Sequence, residues 1–417
     1  MPRFLHIADV HLGFDRYDNP TRTQDFYYAL MDVFQRYAVD ASVDFVVIAG
    51  DLFEHRVIQP ATLNQAQLCL QLLQEANIPV IAIEGNHDNR PYGTKTSWLR
   101  YLSSWGLLIL LEPGNVADGE AFYSPWDPDE RRGGYIDLPC GVRVLGSSWY
   151  GATAPKAIAQ IAASIQALPP VPYNVLLFHH GLEGQIARYQ GAMRYSDLLP
   201  LRDAGVDYLA LGHIHKSYST EGWVFNPGSI EANSIEEGHY ERGAYLVTLD
   251  ANGIDVELKR DYYQRPIQRL KLTARGDESA DELEQQAIVL IEQHCTGSAD
   301  NALEPIVELR IDGTIGFERS EFDTRRIQRL LQARSGALIF LLKFEADAPQ
   351  YATPLASDAD RIQIEQEVFA DVLASNAVYK KRAAELAKGL IDLKERQQRD
   401  HSESELYDFV QALLAPS

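Results

Sequence analysis

Phe45-Val46-Val47-Ile48-Ala49-Gly50-Asp51 places five apolar residues in a row and closes them with a glycine and a carboxylate. A strand with one wet face alternates apolar and polar residues. An unbroken run predicts a strand buried on both faces, within a sheet covered by helices. The flanking segments repeat the layout. Arg3 to Ala8 is a short apolar strand ending in Asp9-Val10-His11, and Pro79 to Ile83 leads into Gly85-Asn86-His87-Asp88. Between them, Thr23 to Ala41 has helical spacing (Phe26, Leu30, Val33, Phe34, Tyr37), and Pro60 to Ala76 is a helix with proline in its first turn. Further apolar strands are expected at Val142 to Leu145, Val175 to Phe178, Tyr208 to Leu211 and Ala244 to Leu249. The insert from Glu112 to Gly141, rich in glycine, proline and charge, reads as surface loop.

Metal-binding residue types recur just after these strands: Asp9 and His11, Asp51, Asn86, His179, then His213 and His215. Ligands of open α/β sheets collect at the carboxyl ends of strands, so five strand ends are expected to converge on one crevice. Each motif alone is ordinary; the ordered set is not. Two carboxylates, one amide and several imidazoles, with no thiolate, exclude a cysteine-type structural zinc site and suit Mn, Fe, Zn or Co better than Ca or Mg. Seven donors are too many for one such ion. They suit two ions about 3.5–4 Å apart, bridged by one carboxylate, the arrangement that clamps a phosphoryl displacement. His6, His239, His294 and His401 read as structural or solvated, and His180 is expected to face away from the site.

Beyond residue 262 the pattern changes to a small α+β unit: strands at Ile267 to Leu272, Ile306 to Ile311 and Leu338 to Phe344, with helices at Ala280 to His294 and Ser320 to Leu331. A linker from Ala348 to Ser357 precedes helices at Ile362 to Leu373, Val378 to Arg396 and after Ser402. Ser402 and Glu405 form a capping box there, and Leu406, Phe409, Val410, Leu413 and Leu414 make an apolar stripe suited to a partner or to the chain's own core. The longest apolar run, Leu107 to Leu111, is far below the ~20 residues of a membrane span, so no membrane is expected. The start has no signal-peptide layout. Cys69, Cys140 and Cys295 form no CxxC pair, which fits a reducing cytoplasm. The 417 residues carry a net charge of −21, which argues against a protein that coats nucleic acid through its overall charge. Two divalent ions against Asp9 and Asp51 would nonetheless make the site itself locally positive, about +2, within the ~8–10 Å reach that salt allows.

The ordered set Asp9-x-His11, Gly50-Asp51, Gly85-Asn86-His87-Asp88, His179 and Gly212-His213-x-His215 resembles the calcineurin-like metallophosphoesterase superfamily. Phe4 to Gly13, Tyr17, Arg22, Asp25-Phe26, Gly50-Asp51-Leu52-Phe53 and Asn226-Pro227-Gly228-Ser229-Ile230-Glu231 further resemble the SbcD-type DNA double-strand-break nucleases. The resemblance implies an α/β fold: a four-layer α/β/β/α sandwich (1–261), a small α+β capping domain (262–350), and a linker with C-terminal partner-binding helices (351–417). It implies one ion on Asp9, His11, Asp51 and His215, and another on Asp51, Asn86, His179 and His213. His87 becomes the catalytic histidine, with Asp88 orienting it or capping the turn. Tyr17 and Arg90 are the candidate substrate contacts. The ions are expected to be Mn2+, with Fe, Zn or Co as alternatives. DNA is the implied substrate, an SMC-like coiled-coil ATPase of SbcC type the implied partner, and a homodimer a further assembly. One position departs: where some relatives carry a histidine linked to exonuclease activity, this chain has Glu54, followed by His55, which leaves the exonuclease–endonuclease balance open. The rival readings are a phosphodiesterase for nucleotides or other small phosphoesters, and a DNA-end binding subunit with secondary catalysis.

Overall fold

The computed structural model describes residues 1–186, 191–251, 253–295, 303–347, 361–374, 379, 382–399 and 402–414. They divide into two compact units, Met1–Lys271 with Ala287–Arg310 and Arg325–Lys343, and Leu272–Gln286 with Ile311–Thr324 and Phe344–Ser417. The expected linker Ala348 to Ser357, the start of the helix expected at Val378, and His401 lie outside the described residues.

The first unit opens with β1 (Arg3–Ile7), α1 (Pro20–Phe34), β2 (Phe45–Ile48), α2 (Pro60–Glu75), β3 (Val80–Ala82), α3 (Trp98–Ser104) and β4 (Ile109–Leu110). It continues through β5 (Tyr135–Asp137), β6 (Val142–Leu145), α4 (Ala154–Gln166), β7 (Tyr173–His179), α5 (Tyr195–Asp203) and β8 (Tyr208–Gly212). Then come β9 (Tyr218–Thr220), β10 (Val224–Asn226), β11 (Ala244–Asp250) and β12 (Gly253–Lys259). Two six-stranded sheets result, in the orders β12-β11-β1-β2-β3-β4 and β5-β6-β7-β8-β10-β9.

Side-chain alternation explains the unbroken apolar runs. In β2, Val46 and Ile48 pack beneath α1, α2 and α3 with Leu5, Ile7, Val80 and Ala82. Phe45 and Val47 face the other way, against Val144, Val175, Leu177, Tyr208 and Ala210 of the second sheet. That sheet's far face, with Leu145, Leu176, Phe178, Leu209 and Leu211, packs on Ile158, Ile161 and Ile165 of α4 and Leu198 and Leu201 of α5. The layers are therefore α/β/β/α, as expected. One polar link crosses the central layer: His6 Nδ1 meets the Tyr208 hydroxyl at 2.9 Å, and His6 Nε2 meets the Leu211 carbonyl at 3.0 Å. The insert from Glu112 to Gly141 is not wholly loop. Tyr135–Asp137 pairs antiparallel with β6 and extends the second sheet at its edge.

Arg22, Asp25 and Glu231 form one buried network. Asp25 accepts from Arg22 (3.0 Å), from Arg265 Nε and Nη2 (2.5 and 2.7 Å) and from the Tyr263 hydroxyl (2.7 Å). Glu231 accepts from the backbone of Arg265 (2.9 Å) and lies 3.3–3.4 Å from Arg22 and Arg242. Asn226 Nδ2 donates to the carbonyls of Ile214 and Lys216, bracing the His-x-His turn.

The α+β segment holds β13 (Ile267–Arg275), α6 (Ala280–Cys295), β14 (Ile306–Thr314), α7 (Thr324–Ser335) and β15 (Ile339–Phe344), with strand order β13-β14-β15. In the second unit, Phe322 stacks between Phe317 and Phe344. Three helices follow: α8 (Arg361–Ala374), α9 (Ala383–Gln398) and α10 (Glu403–Leu414). The Ser402–Glu405 capping box is formed. Part of the α10 stripe meets its own chain: Leu413 lies against Gly389 of α9, and Arg396 sits over the Phe409 ring at 4.3 Å, while Leu414 is exposed. Exposed apolar residues lie on α8, at Ile364, Val368 and Val372, and on α10, at Tyr407 and Leu414.

Candidate metal centre

The loops after five strands bring together all seven expected donors. Asp9, His11, Asp51 and His179 are buried, while Asn86, His213 and His215 are partly exposed. His11 Nε2 lies 3.1 Å from His215 Nε2. His179 Nε2 lies 3.1 Å from both Asp51 Oδ2 and Asn86 Oδ1, and His213 Nδ1 lies 2.8 Å from Asn86 Oδ1. Asp9, His11 and His215 form one compact donor group and Asp51, His179 and His213 another; His11, Glu54 and His87 form a third.

The backbone is bent to achieve this. Asp9, His11, Asp51 and His213 all have positive φ (52°, 55°, 54° and 85°), a region that costs an ordinary side chain about 1 kcal/mol or more and that concentrates at functional sites. A Cβ on Gly85 would overlap the Asp51 carboxylate, so glycine there leaves room for the acid.

The donors' partners fix their protons. His179 Nδ1 donates to the Ala49 carbonyl (2.8 Å), so its Nε2 aims at two oxygens. His215 Nδ1 faces Glu237 Oε1 at 3.1 Å and His11 Nδ1 faces Glu54 Oε2 at 2.8 Å, which leaves the two Nε2 atoms facing each other. Donor atoms packed this way need a cation or extra protons between them. Burial works against charge on His179, yet the adjacent Asp51 carboxylate lifts it to about 9; burial likewise opposes charge on His215, and Glu237 lifts it to about 9. Burial pushes His213 down to about 3, with the neighbouring His179 adding to the effect. The nitrogen–oxygen donor set, its burial and its two outer carboxylates fit divalent transition ions.

His87 sits at the rim. Its backbone N–H donates to Asp51 Oδ1 (2.8 Å), and its Nδ1 donates to the Glu54 carbonyl (2.6 Å), leaving Nε2 clear. Asp88 lies behind it: its carboxylate accepts the backbone N–H groups of Leu52, Phe53 and Gly85, so it ties two loops together and does not orient the His87 ring. Burial and the Asp51 charge push Asp88 up to about 7 against those three bonds. Tyr17 is not grouped with the donors. Its hydroxyl accepts the Ile235 N–H (3.1 Å) and its ring packs on Phe14. Arg90 is exposed, two residues past Asp88. His180 bonds the carbonyls of Gly181 and Gly151.

Sequence reasoning missed Glu237 and left Glu54 unassigned. Glu237 lies in a 3-10 turn, Ile235–His239, rather than at a strand end, so the strand-end pattern does not reach it.

The calcineurin-like phosphoesterase family profile matches residues 2–217. The DNA double-strand break repair protein Mre11 of Archaeoglobus fulgidus is 33% identical over 248 residues, covering 56% of this chain and 51% of that protein. The proteins of the same name from Haloferax volcanii and Methanopyrus kandleri are each 28% identical, over 309 and 326 residues. They cover 70% and 73% of this chain and 61% and 67% of their own lengths. The chain thus spans about half to two thirds of the length of these three relatives. No helix among the described residues is long and apolar enough to cross a membrane.

Proposed function

The chain belongs to the calcineurin-like phosphoesterase family, and from that premise we propose that it is a metal-dependent DNA nuclease. The observation that carries the reading is the convergence of seven nitrogen and oxygen donors from five strand ends, with imidazole lone pairs aimed at one another and at carboxylate and amide oxygens. Members of this family bind divalent metals; Mn2+ is our choice for this donor set, with Fe, Zn or Co next. Asp9, His11, Asp51 and His215 would hold one ion, and Asp51, Asn86, His179 and His213 the other. Bound there, two divalent ions supply Lewis-acid charge to a phosphoryl group and lower the pKa of water.

The chain's own residues supply the rest. The Glu54 carbonyl pins His87 Nδ1, so Nε2 is the atom that holds and releases a proton. That proton reaches the leaving oxygen of a phosphodiester seated at the rim, a role worth ~10²–10⁴-fold in rate. Asp88 holds the loops of Asp51 and His87 at a fixed separation. Arg90, exposed beside them, meets the substrate backbone.

That the relatives are DNA double-strand break repair proteins supports DNA as the substrate. The same reading gives the chain a three-part layout (1–261, 262–350, 351–417), a cytoplasmic setting and an SMC-like coiled-coil ATPase partner docked on the exposed apolar face of α8. A homodimer is its further assembly. The three cysteines are free, which supports the reducing compartment.

The test is the purified chain with Mn2+ on double- and single-stranded DNA and on bis(p-nitrophenyl) phosphate, beside Asp51→Ala and His87→Ala. DNA cleavage abolished by Asp51→Ala and reduced ~10²–10⁴-fold by His87→Ala is expected. Full activity in Asp51→Ala sinks the reading. Cleavage of the small diester alone hands the function to the small-molecule rival.

A further inference from the structure

Behind the two imidazoles that meet through their Nε2 atoms stand two carboxylates. Glu54 Oε2 is 2.8 Å from His11 Nδ1, and Glu237 Oε1 is 3.1 Å from His215 Nδ1. His11 Nδ1 and Glu54 Oε2 are both buried and face each other at 2.8 Å, too angled for a hydrogen bond, and neither atom has any hydrogen-bond partner. Glu237 is itself anchored, its second oxygen accepting the Asn233 N–H at 2.8 Å. A neutral imidazole has one N–H and one lone pair, so the nitrogen facing a carboxylate carries the proton and the other carries the lone pair.

We propose that Glu54 and Glu237 are positioning residues that fix the tautomers and ring orientations of His11 and His215, so that both Nε2 lone pairs converge on one cation position. The position built on Asn86, His179 and His213 relies on a different device, because there the Ala49 backbone carbonyl accepts the hydrogen bond from the His179 Nδ1–H. Loss of either glutamate therefore weakens one cation position and spares the other. An outer carboxylate of this kind is worth roughly 10–100-fold in metal affinity. At position 54 the chain thus uses an acid to hold a ligand from outside. The inference rests on the two-cation reading of the site.

The experiment titrates the full chain with Mn2+ alone, reading free aquo-Mn2+ by electron paramagnetic resonance. It compares the wild type with Glu54→Gln, Glu54→Ala, Glu237→Gln and Glu237→Ala, and records thermal unfolding of each without metal. The wild type is expected to bind two Mn2+. Each alanine variant should lose about 10–100-fold at one position only, and each glutamine variant less, because its amide oxygen still accepts the N–H. An alanine variant that fails to fold leaves its glutamine counterpart to carry the comparison. Wild-type affinities at both positions in the variants overturn the proposal, as does equal weakening of both in a chain whose metal-free unfolding is unchanged. Fewer than two Mn2+ on the wild type instead overturns the two-cation reading, so the two failures are told apart.

Discussion

His11 and His215 present their Nε2 atoms to each other at 3.1 Å, while a carboxylate faces the Nδ1 of each. Two lone pairs at that separation are unfavourable without a positive charge between them, so a bound cation should stabilise the fold. At an Mn2+ concentration ~100 times the dissociation constant the gain is about 2.7 kcal/mol. For a unit of this size that is a rise of roughly 4 °C in Tm. Differential scanning fluorimetry with EDTA and with Mn2+ measures it. No rise in Mn2+, or an undiminished rise in a His11→Ala/His215→Ala double variant, contradicts the arrangement.

Gly85→Ala tests how tightly the Asp51 carboxylate is seated. The added Cβ would overlap that carboxylate, which must move. A misplacement near 1 Å in a catalytic constellation costs about 100-fold, so turnover should fall by ~100-fold or more in a folded protein. Gly93→Ala is the control: nothing lies within 4 Å of the added carbon, although its φ, unlike that of Gly85, is positive at 79°. Equal losses in both variants would show that the overlap with Asp51 is not the cause.

The five strand ends were legible because their chemistry-bearing residues follow directly on apolar runs. Phe45 to Asp51 announces both a strand buried on two faces and the acid at its end. Glu237 was not legible, since a 3-10 turn carries no period that marks which of Glu236 and Glu237 points inward. Tyr17, Arg22, Asp25 and Glu231 stood out only by resemblance. Their roles are visible once tertiary structure brings together residues some 200 positions apart, Arg22 with Glu231 in one buried network and Tyr17 with Ile235. Nor does sequence pattern show that four donors adopt positive φ, because that conformation is imposed by the packing around them.

Asp25 should be the least tolerant acid of that network. Its carboxylate takes Arg22, Arg265 and the Tyr263 hydroxyl, all within 3.0 Å. Asp25→Ala leaves two buried guanidinium groups short of their charge partner, a loss of about 3–5 kcal/mol. Glu395→Ala, which breaks an exposed pair with Arg399, should change stability by less than ~1 kcal/mol. Urea titrations of both variants give the comparison; similar small losses would mean that the network is not a coupled unit.

His6 should impose an acid sensitivity. It is buried between the sheets, and burial lowers its pKa from 6.5 to about 3, with the Leu211 carbonyl opposing. The unfolded chain therefore binds a proton that the folded chain refuses. The contribution is complete above about pH 6.5 and is lost as pH falls from there towards 3. At pH 5 the loss is about 2 kcal/mol, from ~1.4 kcal/mol per unit. His6→Gln keeps a donor and an acceptor but does not titrate. Its stability should change less between pH 7.5 and pH 5 than that of the wild type, and parallel urea midpoints for the two would show that His6 is not the sensor.

The charge of −21 leaves open how DNA is held. From Asp9 and Asp51 alone, a site with two divalent ions is about +2. Glu54 and Glu237 stand within hydrogen-bonding reach of its histidines, and counting their charges brings the loaded centre close to neutral. Such a centre attracts a phosphate by direct coordination and offers little long-range pull beyond the ~8–10 Å Debye length. Each phosphate neutralised by a lysine or arginine adds about −0.9 to the slope of log affinity against log salt. The isolated, loaded chain should therefore bind duplex DNA weakly, with a slope no steeper than about −2. Fluorescence anisotropy across 50–200 mM salt, with the slowed His87→Ala chain, measures it. A slope of about −5 or steeper would reveal a basic track that the net charge conceals; a shallow slope that steepens when a partner is added would place the backbone grip on the partner.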